Sequence, residues 1–186
     1  MQIRNSPDRF GLPAQALHWL TALCMLGAWL LGTTTDSFPR GEPRAQALAL
    51  HWSLGLLVLG FALARLALRA TDKQPREPTT MARWEVIAAK AAHVLLYALM
   101  VALPLSGLAT AFFQGRTVSV FGLFTVPALF ERDRALGRSV KEIHELFANG
   151  MLVVAGLHAL AALRHHFMLR DDVLRRMLPW TSGQRG

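Results

Sequence analysis

Lys141-Glu-Ile-His-Glu-Leu-Phe-Ala-Asn-Gly-Met-Leu-Val-Val-Ala-Gly-Leu-His-Ala-Leu-Ala-Ala-Leu-Arg164 is the stretch on which the fold turns. From Leu146 to Leu163 it runs 18 residues without a charged side chain. About 20 apolar residues in a helix cross a hydrocarbon core of roughly 30 Å, so the stretch reads as a membrane span extended by Ile143 and its neighbours. Its two histidines, His144 and His158, lie 14 positions apart. At 100° per residue that is within about 40° of four full turns, with a rise of about 21 Å. Both imidazoles therefore share one inward stripe, one near each side of the bilayer. A single metal ion cannot bridge that distance. Two stacked haems, one per leaflet, can be reached from such a helix.

Working outward, three more stretches lack charge: Ala14 to Thr35, Ala45 to Ala64 and Ala91 to Phe113. Backbone exposed to lipid must satisfy its own hydrogen bonds, which makes each a helix. Pro104 inside the third is tolerated in a membrane helix and is expected to kink it. The reading is an all-α integral membrane four-helix bundle, a single membrane domain over 1–186. Its spans fall at about 14–35, 45–67, 88–112 and 143–164, with 165–186 as a cytoplasmic tail. The first span carries Trp19, Trp29 and His18 and has no clear small-x-small cleavage site, so it is read as a retained helix and not a leader.

Composition agrees. Apolar residues make up 53% of the 186 and charged residues 17%, against about 25% charged in an average soluble domain. Mean hydropathy is +0.31. So apolar a chain is not disordered. With Cys24 as its one cysteine it is no disulfide scaffold. The formal charge of +8 would suit a nucleic-acid binder, but the apolar content would not.

Lys and Arg fix the expected orientation. With the N-terminus in the cytoplasm, 13 of the 20 fall inside: Arg4, Arg9, Arg65, Arg69, Lys73, Arg76, Arg83, Lys90, Arg164, Arg170, Arg175, Arg176 and Arg185. Seven fall outside: Arg40, Arg44, Arg116, Arg132, Arg134, Arg138 and Lys141. Both termini are expected in the cytoplasm. Ionisable groups within spans are functional candidates by default, and five histidines lie in or beside spans: His18, His51, His93, His144 and His158. Depth pairs His51 with His144 outside and His18 with His158 inside. Bis-imidazole ligation leaves no open position on iron, which suits electron transfer. His93 lies at a depth that makes it a rival to His18, or else a core hydrogen-bonder or part of a quinone pocket. His165 and His166 read as interfacial residues. Gly55, Gly150 and Gly156 are read as making room for a flat macrocycle, a role that ordinary helix packing also explains. The absence of Cys-x-x-Cys-His excludes covalent c-type attachment.

These residues resemble the bacterial cytochrome b561 family, and more distantly the membrane cytochrome b subunits of hydrogenase and formate dehydrogenase. The matching stretches are Ala16-Leu-His-Trp-Leu, His51-Trp-Ser-Leu-Gly, His93-Val-Leu-Leu-Tyr with Leu103-Pro-Leu-Ser-Gly, and Lys141-Glu-Ile-His-Glu with Gly156-Leu-His-Ala-Leu. The resemblance implies a four-helix bundle with two b-type haems on His18, His51, His144 and His158, and it demotes His93. It also implies electron exchange with ubiquinone and, for some members, oxidation of superoxide outside the inner membrane.

The expected function is thus a di-haem b-type cytochrome of the bacterial inner membrane, an oxidoreductase in electron transport that needs no nucleic acid. Arg132, Arg134, Arg138 and Lys141 are candidates for a basic funnel that steers a small anion, although Glu131, Asp133 and Glu142 interleave with them. Arg65, Arg69 and Arg164 are candidates for pairing haem propionates or for snorkelling at the boundary. One alternative makes the chain a haem-bearing anchor subunit of a multi-subunit dehydrogenase or hydrogenase. Another makes it a haem-free, histidine-lined metal-ion transporter.

Overall fold

Pro13 and Pro43 stand where helices begin, because a first-turn residue has no intrahelical use for an N–H. In the computed structural model, which describes residues 2–179, they open α1 (Leu12–Thr34) and α2 (Glu42–Thr71). Gly41 precedes α2 at φ 100°, a conformation that side chains beyond glycine resist. At the start of α3 (Arg83–Phe113) the Glu85 carboxylate accepts from the Ala82 N–H at 2.9 Å. Only this half of a capping box is possible, since alanine has no side chain to reciprocate. Asp133 caps α4 (Arg134–Arg164), accepting from the N–H groups of Ala135 and Leu136 at 2.9 and 3.0 Å.

Each of the four helices is long and apolar enough to cross a membrane. Their apolar residues face outward: Leu23, Val94, Val153 and Leu157 are all more than half exposed. The buried residues of α4 are Gly137 and Met151 alone. Such a bundle holds together only where lipid, and not water, covers that surface. The helices run beyond the charge-free stretches because charged residues occupy their ends, as Glu42, Arg83 and Arg134 do. α3 continues through Pro104, which is buried.

Two further elements were not anticipated. Between α3 and α4 lies a hairpin of β1 (Val118–Val120) and β2 (Phe124–Val126), antiparallel with Ser119 opposite Thr125. Its turn passes through Phe121 and Gly122, both at positive φ. The Phe121 N–H donates to Oγ of fully buried Ser53 at 2.8 Å, which fastens the hairpin to α2. The second is a π-helical turn, His165–Leu169, that continues α4 and ends at Arg170 with φ 53°. Of the expected tail, residues 180–186, including Arg185, lie outside the described residues.

α1 packs on α2, α2 on α3 and α3 on α4. α1 and α4 meet instead through side chains, among them Trp29 Nε1 donating to Asn149 Oδ1 at 3.3 Å. Two buried clusters order the interior. Val58, Ala62, Leu99, Met100 and Met151 form a mid-depth layer. Ala111, Phe112, Val118 and Val120 join the hairpin to the end of α3.

Candidate functional site

On α4 the heptad stripe His144, Met151, His158 runs past the mid-depth layer, Met151 being buried in it. On α2 the matching stripe is His51, Val58, Arg65, with Val58 in the same layer. The layer therefore separates two sites, one at the hairpin end and one at the terminal end, where Phe10 before α1 meets Arg176 after α4.

At the hairpin end the rings of His51 and His144 stand 6.1 Å apart between centres. His51 Nδ1 lies 2.7 Å from the Ala28 carbonyl. His144 Nδ1 lies 3.1 Å from the Leu103 carbonyl and 3.0 Å from Ser106 Oγ. A carbonyl can only accept, so each Nδ1 carries the proton and each Nε2 keeps its lone pair for a metal. Gly32 and Gly107 make the approach possible. A Cβ on Gly32 would meet His51 Cε1 at 3.0 Å, and one on Gly107 would meet His144 Cε1 at 3.2 Å. Between these histidines and the mid-depth layer is a largely apolar cavity of about 80 Å³, bordered by Trp52, Gly55, Pro104 and Met151.

At the other end His18 and His158 stand 6.3 Å apart. His18 Nδ1 is 3.2 Å from an Arg65 guanidinium nitrogen, whose Cζ lies 5.3 Å from the centre of the Tyr97 ring. His93 is nearer to His158, at 5.1 Å, and bonds the Ala89 carbonyl of its own helix.

The separations test whether one iron fits. With metal–nitrogen bonds of about 2.0 Å, and ring centres roughly 1.1 Å behind the nitrogens, two imidazoles facing one metal would have centres about 6.2 Å apart. The pairs at 6.1 and 6.3 Å suit that arrangement, and His93 with His158 is too close for it. Among the described residues no three or more His, Cys, Asp or Glu side chains converge on one metal-ion site. At the hairpin end His51 and His144 meet as one pair, and at the other end His93 joins His18 and His158.

Other expected residues are distributed unevenly. Lys141 borders an open vestibule whose floor includes His51 and His144, and it pairs with Glu145 one turn along. Arg132, Arg134 and Arg138 are exposed and do not border it; the Arg132 side chain lies against Gly115. Arg44 and Arg116 border it instead, with Arg44 held by Asp36 at 3.4 Å. Arg164 pairs with Glu85 at 2.8 Å, and Arg69 is exposed. Arg65 points inward to His18 and so does not snorkel.

Three sequence-based readings change. Gly150 and Gly156 are exposed with open space around them, because steps of six and two residues turn them away from the histidine stripe. Gly32 and Gly107 are the glycines that clear the rings. His165 is buried and not interfacial: its Nδ1 lies 2.6 Å from Asp171 Oδ2, which also accepts from the Thr80 hydroxyl at 3.1 Å. Burial works against the Asp171 charge. The hydrogen bonds from His165, the Val173 N–H and Thr80 outweigh it and hold the carboxyl below its ordinary value. The signal for His165 was present in its spacing, seven residues beyond His158 on the same stripe.

Comparison with known proteins bears on the same residues. The model of the prokaryotic cytochrome b561 family matches residues 9–180. A cytochrome b561 homolog 2 of Escherichia coli K12 is 33% identical over the whole of both chains. A probable superoxide oxidase CybB of Yersinia pestis is 32% identical, covering 90% of this chain and 94% of its own. A cytochrome b561 homolog 1 of Escherichia coli K12 is 30% identical over 92% of this chain and 98% of its own. Membership implies b-type haem and removes the support for a haem-free transporter. With four spans and this match over nearly its full length, the chain is a multi-pass protein of the bacterial inner membrane and belongs to the prokaryotic cytochrome b561 family.

Proposed function

We propose that this membrane cytochrome holds two haems b, His51 with His144 at the hairpin end and His18 with His158 at the terminal end, and exchanges electrons with ubiquinone. The observation that carries the reading is the pair of ring separations, 6.1 and 6.3 Å, at two depths of one bundle. Haem b supplies one-electron exchange at iron. The protein's residues do the rest. The Ala28 and Leu103 carbonyls fix the tautomer of His51 and His144 and raise the basicity of their Nε2 atoms. Trp52, Met151 and Pro104 keep the space between the sites apolar.

On this reading the termini face the cytoplasm, as the 13-to-7 distribution of Lys and Arg favours, and the vestibule opens outside. Arg44, Arg116 and Lys141 there raise the local concentration of a small anion. Superoxide suits that surface, and the likeness to a probable superoxide oxidase supports it. Oxidation of superoxide yields dioxygen and one electron. Ubiquinone takes two electrons and two protons to become ubiquinol, so two superoxide ions serve each quinone.

Purified chain is expected to contain two haems b per polypeptide by pyridine haemochrome assay. It is expected to reduce a soluble ubiquinone with superoxide and no partner protein, at a rate that falls as ionic strength rises. One haem or none sinks the di-haem reading. Two haems with activity only beside a partner chain would instead make this the anchor subunit of a larger dehydrogenase.

A further inference from the structure

Arg65 is an expense that the bundle has no structural need to bear. A cation within a membrane span is costly wherever it is not paired or functional. Arg65 lies on the same stripe of α2 as His51, two heptads on, about 21 Å along the axis. Among the described residues it forms no ion pair, and its partners are the His18 ring and Tyr97, met both over the ring and by a side-chain hydrogen bond. At the hairpin end Lys141 pairs with Glu145 and Arg44 with Asp36, and Arg116 is exposed at the vestibule. The ligands there face acceptors, the Ala28 and Leu103 carbonyls. His18 faces a guanidinium, which has only donors.

We infer that Arg65 sets the haem held by His18 and His158 at a higher reduction potential than the haem held by His51 and His144, so that electrons run from the hairpin end to the terminal end. The inference rests on the di-haem reading. Its physics is that of neighbouring charge and ligand basicity. Carbonyl acceptors push electron density through the imidazole and favour ferric iron. A fixed guanidinium charge beside one ligand in a low-dielectric interior would favour the state with one positive charge fewer, which is ferrous. With haems held there, one electron would pass from the group at His51 and His144, which is oxidised, to the group at His18 and His158, which is reduced. No bond is made or broken and no proton moves. Arg65 touches a ligand and not the reacting atom, so it is a positioning residue.

Redox potentiometry on the full chain in detergent tests this, read from optical spectra. His144→Ala retains the terminal-end haem and His158→Ala the hairpin-end haem. The haem in His144→Ala is expected to have the higher midpoint. Arg65→Gln is expected to lower that midpoint by at least 59 mV, a tenfold loss of electron affinity for one electron. Arg65→Lys should stay closer to the parent, and the hairpin-end midpoint should hold still in both. Equal or reversed midpoints in the two histidine variants overturn the inference, as does Arg65→Gln without a shift or with an equal fall at both haems. Should Arg65→Gln shed its haem, the order of midpoints in the histidine variants decides, with Arg65→Lys reporting on the charge. If either histidine variant fails to hold one haem while the parent holds two, the ligand pairing has failed, and not the role of Arg65.

Discussion

Gly32→Ala adds one methyl group, and the structure says where that group goes. Its Cβ would stand 3.0 Å from Cε1 and 3.2 Å from Nδ1 of His51. Non-bonded carbons rest at about 3.5–4.0 Å, so the ring must retreat by roughly 0.5 Å or more. Metal–ligand distances tolerate only about 0.2 Å, less than half of that. The ring has little slack in other directions, since Nδ1 is held at 2.7 Å by the Ala28 carbonyl. Replacing glycine in a helix gains about 1 kcal/mol of propensity. Overpacking of this size costs about 1–3 kcal/mol. Global stability should therefore change little, by between zero and about 2 kcal/mol, while haem affinity at the hairpin end falls at least tenfold. Gly60→Ala is the control, because nothing lies within 4 Å of its added methyl. The assay is haem per chain after incubation with a haem-scavenging apoprotein. Gly32→Ala should fall from two toward one while Gly60→Ala keeps two. Two firmly held haems in Gly32→Ala, with unaltered midpoints, would refute the clasp geometry and the assignment of His51 as a ligand.

Further outcomes follow from other residues. His144→Ala and His158→Ala should each remove one haem by pyridine haemochrome assay and leave the other; loss of one in His93→Ala with both kept in His18→Ala would reverse the pairing at the terminal end. Ser53→Ala leaves the Phe121 N–H without its acceptor and should destabilise the hairpin by about 1–3 kcal/mol, seen as faster proteolysis of the α3–α4 connection without haem loss. The depressed Asp171 carboxyl contributes stability above its unfolded pKa of about 3.9, and loses it as pH falls through the lower folded value. The Tm gap between the parent and Asp171→Asn should therefore be steady above about pH 5 and close at lower pH. A gap that does not narrow at all between pH 5 and the lowest pH at which the parent stays folded would show that packing, and not charge, is what Asp171 provides.

The four helices were legible because a membrane reduces the sequence problem to finding runs without charge. Leu146 to Leu163 and its counterparts carry that signal by themselves. The histidine pairs were legible for a related reason: within a span, helical phase and depth are nearly the only variables, and 14 residues set both for His144 and His158. What escaped depends on neighbours far along the chain. Gly32 and Gly107 earn their roles only once α1 meets α2 and α3 meets α4, whereas the glycines near the histidines in sequence point away. Arg65 looked like a boundary anchor because sequence gives its depth but not the direction its side chain takes from α2. The hairpin was hidden in a short loop, where three-residue strands leave little pattern, although Gly122 after Phe121 marks its turn.

The seam between α1 and α4 bears on biogenesis. The bundle consists of two helical hairpins, α1 with α2 and α3 with α4, joined closely only where α2 meets α3. Along the opposite side, His18 and His158 reach toward each other across a gap that the backbones leave open. A chain inserted span by span can therefore complete both hairpins before anything fills that gap. On the proposed di-haem reading, a flat prosthetic group would enter along that seam from the lipid side. Bound there it would tie the halves together, and on that reading cofactor delivery, not helix insertion, is the step that commits the protein to its mature shape.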